Sequence, residues 1–319
     1  MEQSQEQART ILVHMAAGIG NIVLATPLLV ALNHMEYAVD VLLHADYTQT
    51  ADLLRDWSVV RAVYDGHGHN VLALTAYERV IPAIPPFYWP RFARLYTNIS
   101  RQVQRPPDGL FYQNEQEYYL AFACALGYSA THRPVYRLPI SPRSDWGVTA
   151  RTLVIAPGCK TGEMAAKRWP YFSQLAEQFE DVALIGTGDD VRNSDGTVVP
   201  MPRHVRSFLD RLTIRETAEL LAAAGVMVGN DSGLSHVAAA VGTPTIMLFG
   251  PTPHLSLGQF PANVTILRTG LACEPCWFGA RFQACTASIH CLHHLTVEIV
   301  AQKVRALLGG SVLRLSLPL

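Results

Sequence analysis

Residues 229–252 read GNDSGLSHVAAAVGTPTIMLFGPT, and this stretch decides the fold. An apolar run, Val226–Gly229, ends in a polar turn. Asp231 and Ser232 are residue types that cap helices, and Gly233 leaves room for a close backbone approach. The small, apolar run Leu234–Val241 predicts a helix that packs tightly on a sheet. Thr245–Phe249 predicts the next strand, and Gly250-Pro251-Thr252 a turn at its carboxyl end. The whole is strand–turn–helix–strand, the unit of a parallel sheet. Free N–H groups at a helix start, together with the helix dipole, favour phosphate. His236 falls in the first helical turn, where its ring can donate to a phosphate or a sugar. The structural alternative is that Asp231 and Ser232 only cap the helix and His236 is a core histidine.

The same alternation runs outward in both directions. Leu153–Ala156 and Val182–Gly186 read as strands, and Pro170–Phe179 as a helix. Thr213–Ala224 reads as a helix opened by a capping box, Thr213 with Glu216, and Thr296–Leu308 as a closing amphipathic helix. Toward the N-terminus, Thr10–His14 and Val39–His44 read as strands around a helical run from about Ile22 to Met35, with Pro27 near its start. Ala62–Tyr64 and Val71–Thr75 are weaker strand signals. Ile81–Pro90, rich in Pro and aromatics, reads as a loop; Arg91–Gln104 and Asn114–Leu126 read as helices. Pro134–Trp146 lacks periodicity and reads as a linker. The expectation is an α/β protein of two Rossmann-like domains, 1–146 and 147–319, facing a central cleft.

Bulk properties narrow the classes. In 319 residues 49% are hydrophobic and 16% charged, which suits two cores and argues against disorder. A formal net charge of −1 argues against a nucleic-acid partner. The polar Met1–Arg9 does not read as a signal peptide, and the apolar runs Leu220–Val228 and Val237–Phe249 are too short or too interrupted to span a bilayer. A cytoplasmic protein is expected, with peripheral contact at the inner membrane face left open, as is a homo-oligomer.

With these residues in view, the chain resembles glycosyltransferase family 9, the bacterial heptosyltransferase family. The Asp-Ser-Gly-x-x-His segment, Asp231–His236, is similar to that family's donor-site signature. GIGNIVLATPLLVAL, from Gly18, resembles its first loop and helix, and Lys167–Pro170 (KRWP) its basic-Trp-Pro element. The resemblance implies a GT-B fold and inverting transfer from a nucleotide sugar, ADP-heptose being the best-known donor, with no catalytic metal. It implies a cell-surface glycan, lipid-linked glycan or protein acceptor, and a place in lipopolysaccharide biosynthesis. Asp231, Ser232, Gly233 and His236 would hold the donor diphosphate and sugar. Lys167 would neutralise charge on the departing diphosphate; a solvated surface lysine is the alternative. Thr187, Gly188 and Asp189, after the Val182–Gly186 strand, would meet the ribose or base, or form an ordinary turn.

One departure matters. The family carries an aspartate after the glycine of the first loop, the expected general base. Here Gly20 is followed by Asn21, whose neutral amide cannot take a proton. Asn21 can still orient an acceptor. Then another group, such as His14 or an acid from elsewhere in the cleft, serves as base, or the acceptor needs little help, or the protein binds a nucleotide sugar without catalysis. A GT-B-like sugar-nucleotide epimerase is a further alternative.

Two more patterns stand out. Cys273-x-x-Cys276 with Cys285 and Cys291 suits a structural Zn or Fe site bracing a loop at 273–291, with His290, His293 and His294 as substitute ligands; free thiols are the alternative. Heptosyltransferases that modify autotransporters resemble this segment and carry a cysteine-bound iron there. Arg91, Arg94, Arg101 and Arg105 fall near one face of a helix over 91–105, interleaved with aromatics. That face suits an anionic acceptor, Arg91 and Arg94 first, or simply solvent.

Overall fold

The computed structural model describes residues 9–65, 75–97, 99–129, 131–159, 167–193, 196–277 and 291–309. The chain divides into two compact units at Pro139/Ile140, and Leu255–Gln259 belongs with the first. The division therefore falls inside the expected linker but ahead of 146/147, and one short segment crosses back.

The first unit contains β1 (Thr10–Met15), α1 (Ile19–Leu24), α2 (Thr26–His34), β2 (Ala38–Leu43), α3 (Ala51–Leu54), β3 (Ala62–Asp65), β4 (Arg79–Ala83), α4 (Trp89–Thr97), α5 (Asp108–Gln113) and α6 (Glu115–Ala125). Its strands pair in parallel in the order β3-β2-β1-β4. The central β1 is almost wholly buried, which is why it reads as one apolar run. The helical run near Ile22 is two helices, because Pro27 lacks an N–H and sits in the first turn of α2.

β4 corrects the loop expected over Ile81–Pro90. Pro82 lies within a strand, and it is tolerated because β4 is the last strand of its sheet. Val80 bridges Gln102 on that outer side, and Pro82 lies past the bridge. Most of the expected strand Val71–Thr75 lies outside the described residues. The expected helix over 91–104 ends at Thr97, so Arg101 and Arg105 do not continue the face that carries Arg91 and Arg94.

The second unit contains β5 (Leu153–Ala156), α7 (Phe172–Glu177), β6 (Val182–Leu184), β7 (Arg206–Ser207), α8 (Ile214–Ala223), β8 (Val226–Asn230), α9 (Gly233–Ala240), β9 (Thr245–Leu248), β10 (Val264–Leu267) and α10 (Val297–Gly309). All six strands are parallel, in the order β10-β9-β8-β5-β6-β7. The chain builds outward from β5 to β7, returns, and builds outward again from β8 to β10. This is the doubly wound order, and β5 and β8 flank its switch point, where ligands bind in such sheets. The capping box of α8 is present: Thr213 N donates to Glu216 Oε2 at 2.9 Å, and Glu216 N to Thr213 Oγ1 at 3.2 Å. Among the described residues no helix is long and apolar enough to cross a membrane.

Candidate functional site

The switch point of the second sheet is tied together by one side chain. Asn230 ends β8 and is fully buried. Its Nδ2 donates to the Pro157 carbonyl just past β5 at 2.7 Å, and its Oδ1 accepts from Trp169 N at 2.9 Å. An amide can do both at once because it carries donor and acceptor on one plane. Trp169, itself buried, donates from Nε1 to the Leu295 carbonyl at 2.7 Å. Asn230 was not singled out in the sequence; its place one residue before the Asp-Ser-Gly turn was the available signal.

The anchored Trp169 fixes Lys167 nearby. Lys167 Nζ lies 2.5 Å from Asp231 Oδ2, with only 15% of its side chain exposed. It also lies 5.6 Å from the ring centroid of Trp277. This overturns the surface-lysine alternative. On its other oxygen Asp231 faces His236 Nε2 at 3.4 Å. Burial pushes the Asp231 carboxyl up, but Lys167 and His236 together outweigh it and hold the group well below the usual carboxylate range. Asp231 is therefore an anion at neutral pH that orients a cation and an imidazole. The His236 ring, also buried, lies parallel to Phe260 with centroids 6.3 Å apart.

Asp231 is thus not a helix cap. Ser232 takes the N-cap position of α9 in extended backbone, but its side chain makes no capping bond. The Ser232 carbonyl accepts from the Ser235 and His236 amides at 3.1 and 3.3 Å, while no side chain caps the first turn. Behind them Ser235 Oγ donates to the Asn230 carbonyl at 2.6 Å, closing the turn.

Thr187, Gly188 and Asp189 lie past the end of β6. Thr187 N donates to Asp190 Oδ2 at 2.7 Å, and the two residues form a reciprocal capping box. Gly188 N donates to Asp210 Oδ2 at 2.8 Å, and Asp189 faces Arg192 on the surface. Carboxylates of Asp190 and Asp210 thus close this turn. The turn adjoins the β5 loop, since a Cβ on Gly158 would lie 2.3 Å from the Asp190 carboxylate.

In the first unit, Gly20 and Asn21 lie in α1, directly after β1. Asn21 Nδ2 donates to Oε1 of Glu115, a buried acid at the start of α6, at 2.7 Å. His14 is a core residue rather than a base. Its Nδ1 hydrogen-bonds Tyr96 Oη, and its ring meets Phe92 edge-on. Burial, then neighbouring His44, push its pKa down to about 3. Arg91 is exposed and pairs with Asp46 at 3.1 Å. Arg94 is exposed on the same helix. Arg105 instead stacks over Trp89 at 4.5 Å.

Of the cysteines, Cys285 lies outside the described residues, as does His290. Cys273 is exposed, Cys276 partly buried and Cys291 buried. Burial, with Glu274 and Cys276 adding to it, pushes the Cys291 thiol up to about 12. Gly250 passes so close that a Cβ there would lie 2.7 Å from Cys291 Sγ. Among the described residues no group of three candidate ligands forms. The amides of Cys276 and Trp277 both donate to the Pro251 carbonyl at 2.9 Å, which holds Trp277 over Lys167. Trp277 was legible only as the residue after the Cys-x-x-Cys pair.

The chain is similar to known proteins. The Haemophilus influenzae lipooligosaccharide heptosyltransferase 2 is 36% identical over 122 residues, 35% of each chain. The chain spans 35% to 52% of the length of the first curated relatives it matches. The Escherichia coli ADP-heptose LPS heptosyltransferase II structure superposes with a TM-score of 0.69 at 21% identity, covering 94% of this chain and 98% of that one. The dodecameric iron-containing heptosyltransferase TibC, from enterotoxigenic E. coli, superposes with a TM-score of 0.68 at 16% identity, covering 96% and 77%. These likenesses show the GT-B fold. A family model described as glycosyltransferase family 9 (heptosyltransferase) matches residues 113–281. Since that match takes in more than half of its length, the chain belongs to glycosyltransferase family 9.

Proposed function

We propose that this protein is an inverting glycosyltransferase that moves a heptose or related sugar from a nucleotide sugar, an ADP-linked one first, to a cell-surface glycan or protein. The observation that carries the proposal is the Lys167–Asp231–His236 cluster beside the start of α9 at the second sheet's switch point. An acceptor hydroxyl attacks the anomeric carbon on the face opposite the diphosphate. The bond to the diphosphate breaks, and its electron pair leaves with the phosphate. Charge therefore grows on the leaving group in the transition state. A fixed cation and helix-start amides stabilise that charge without reorganising. Lys167 has three N–H donors, and Asp231 aims the group while engaging one. Ser232, Gly233 and His236 meet the diphosphate and sugar. Thr187, Gly188 and Asp189 would reach the nucleoside, and Arg91 and Arg94 an anionic acceptor. Work in the cytoplasm, at or near the inner membrane face, fits a nucleotide-sugar donor.

Cys276 and Cys291, with Cys273 and Cys285, would hold a structural Zn or Fe that braces the 273–291 segment. Metal chemistry has no part in the transfer.

A second reading, a catalytically silent nucleotide-sugar binder, draws support from Asn21. A panel of ADP-heptose, ADP-glucose, UDP-glucose and GDP-mannose separates the two, with binding followed by calorimetry and turnover by release of nucleoside diphosphate. We expect one donor to bind and turn over. Lys167→Ala is expected to lower kcat by about 10²-fold, as loss of one oxyanion donor does elsewhere, and His236→Ala to weaken donor use. Unchanged kinetics in both variants would sink the site assignment; saturable binding with no product would favour the silent binder.

A further inference from the structure

The first unit holds a buried acid that the donor site does not use. Glu115 opens α6 directly after Asn114, whose side chain caps that helix by accepting from Glu117 N at 3.0 Å. A carboxylate at a helix start gains from the dipole, but a surface position gives that gain without desolvation. Glu115 is instead only 4% exposed. It accepts from the Asn21 amide at 2.7 Å, joining two segments 94 residues apart.

The location is specific. Asn21 follows β1. α6 packs near the end of β4, where Tyr118 Oη donates to the Ile84 carbonyl at 2.9 Å. In the order β3-β2-β1-β4 the strands are added outward from β1 to β3 and then on its other side as β4, so the winding order reverses between β1 and β4. The pair therefore lies at the carboxyl ends of the strands that flank the first sheet's own switch point, where a parallel sheet receives a ligand.

We propose that the Glu115 carboxylate is the proton acceptor of the transfer reaction, positioned by the Asn21 amide. The inference rests on the glycosyltransferase reading above. An amide cannot accept the proton, but its N–H can fix a carboxylate that does. The acceptor oxygen forms its bond to the anomeric carbon as the carbon–diphosphate bond breaks. The electron pair leaves with the diphosphate, and the hydroxyl proton passes to Glu115. The resulting neutral acid returns the proton to solvent. His14 is held in the core against Tyr96 and Phe92 and is not available for this step.

The test uses the full-length protein with ADP-D-β-D-heptose as donor and heptose-deficient lipooligosaccharide as acceptor, reading ADP release. Glu115→Gln is expected to lower kcat by about 10²- to 10⁴-fold, the range for loss of a general base. Its KM for the donor and its affinity for ADP stay within about twofold, because uniform binding is untouched. The acidic limb of the wild-type kcat–pH profile disappears in this variant. Asn21→Asp added to Glu115→Gln restores a carboxylate at the same spot and recovers at least about tenfold of the loss. Glu115→Asp, which keeps the charge, falls between wild type and Glu115→Gln and guards against a packing defect. Glu115→Gln with kcat within about threefold of wild type overturns the inference alone. So does an equal loss in folded Glu115→Asp and Glu115→Gln. Wild-type protein that binds ADP yet releases none from the donor overturns both the inference and the reading beneath it.

Discussion

His14 shows how burial alone decides what a residue can do. In the sequence it was a candidate base after an apolar strand. In the fold it is 3% exposed and bonded to Tyr96, whose own hydroxyl burial holds in the protonated form. Its pKa drops from the ordinary 6.5 to about 3. Below about pH 6.5 the unfolded chain takes up a proton that the folded chain refuses, so stability falls as pH drops from about 6.5 toward about 3. His14→Gln, which keeps a polar partner for Tyr96, is expected to flatten this limb by about one proton, or ~1.4 kcal/mol per pH unit. Urea titrations between about pH 7 and about pH 5 check it; superimposable slopes for variant and wild type would assign the acid loss to other groups. No local pattern marks such a histidine, because its neighbours Phe92 and Tyr96 come from a helix far along the chain. Asp231 differs. Its motif was legible, but its role as the anion between Lys167 and His236, rather than a cap, depends on a lysine from another loop.

At the scale of elements, strands buried on both faces were legible, whereas among edge strands only β3 gave a signal, a weak one over Ala62–Tyr64. β1, β5, β8 and β9 are apolar runs, and each was expected within a residue or two. β4 hid behind Pro82, while β7 and β10, the outermost strands of their sheet, are only partly buried and carry no such run. The turn from β8 into α9 is a tightly packed junction. A Cβ on Gly229 would lie 2.5 Å from Ser235 Oγ and 2.7 Å from Met227 Cε. Gly229→Ala must push Ser235 off the Asn230 carbonyl, and is expected to cost about 1–3 kcal/mol, as overpacking does. The same shift tilts the start of α9 and weakens ADP binding. Thermal unfolding and calorimetry on the one variant read both effects; an unchanged Tm would mean the turn is looser than drawn here.

For the whole molecule, the alternation of strands and helices announced two doubly wound units before any contact was known. The division between them was less legible, because Leu255–Gln259 belongs with the first unit although it lies far along the second. Gln116 Nε2 donates to the carbonyls of Leu257 and Gln259 at 2.8 and 2.9 Å, a link that no composition shift reveals. The cysteine segment is a molecule-wide question too, since a structural metal adds folding free energy. Protein purified without chelator is expected to carry about one Zn or Fe per chain, lost with a drop in Tm on Cys276→Ser. Elemental analysis decides it, and less than about half an equivalent of any metal would leave free thiols as the answer.

The Asn230 side chain has a consequence for the order in which the protein assembles. It bonds the loop after β5 and the segment that delivers Lys167, yet it arrives only with β8, more than 60 residues after Trp169. A chain that has formed β5, β6 and β7 but not yet docked β8 has neither the lysine in place nor the anion that aims it. Under the proposed donor site, nucleotide would not act as a template for early folding. Its capture would then report a late event, the closing of the central strand pair, since contacts so distant in sequence are slow to form. A ribosome-bound or truncated chain ending before β8 would be blind to its ligand, however well its first strands had paired.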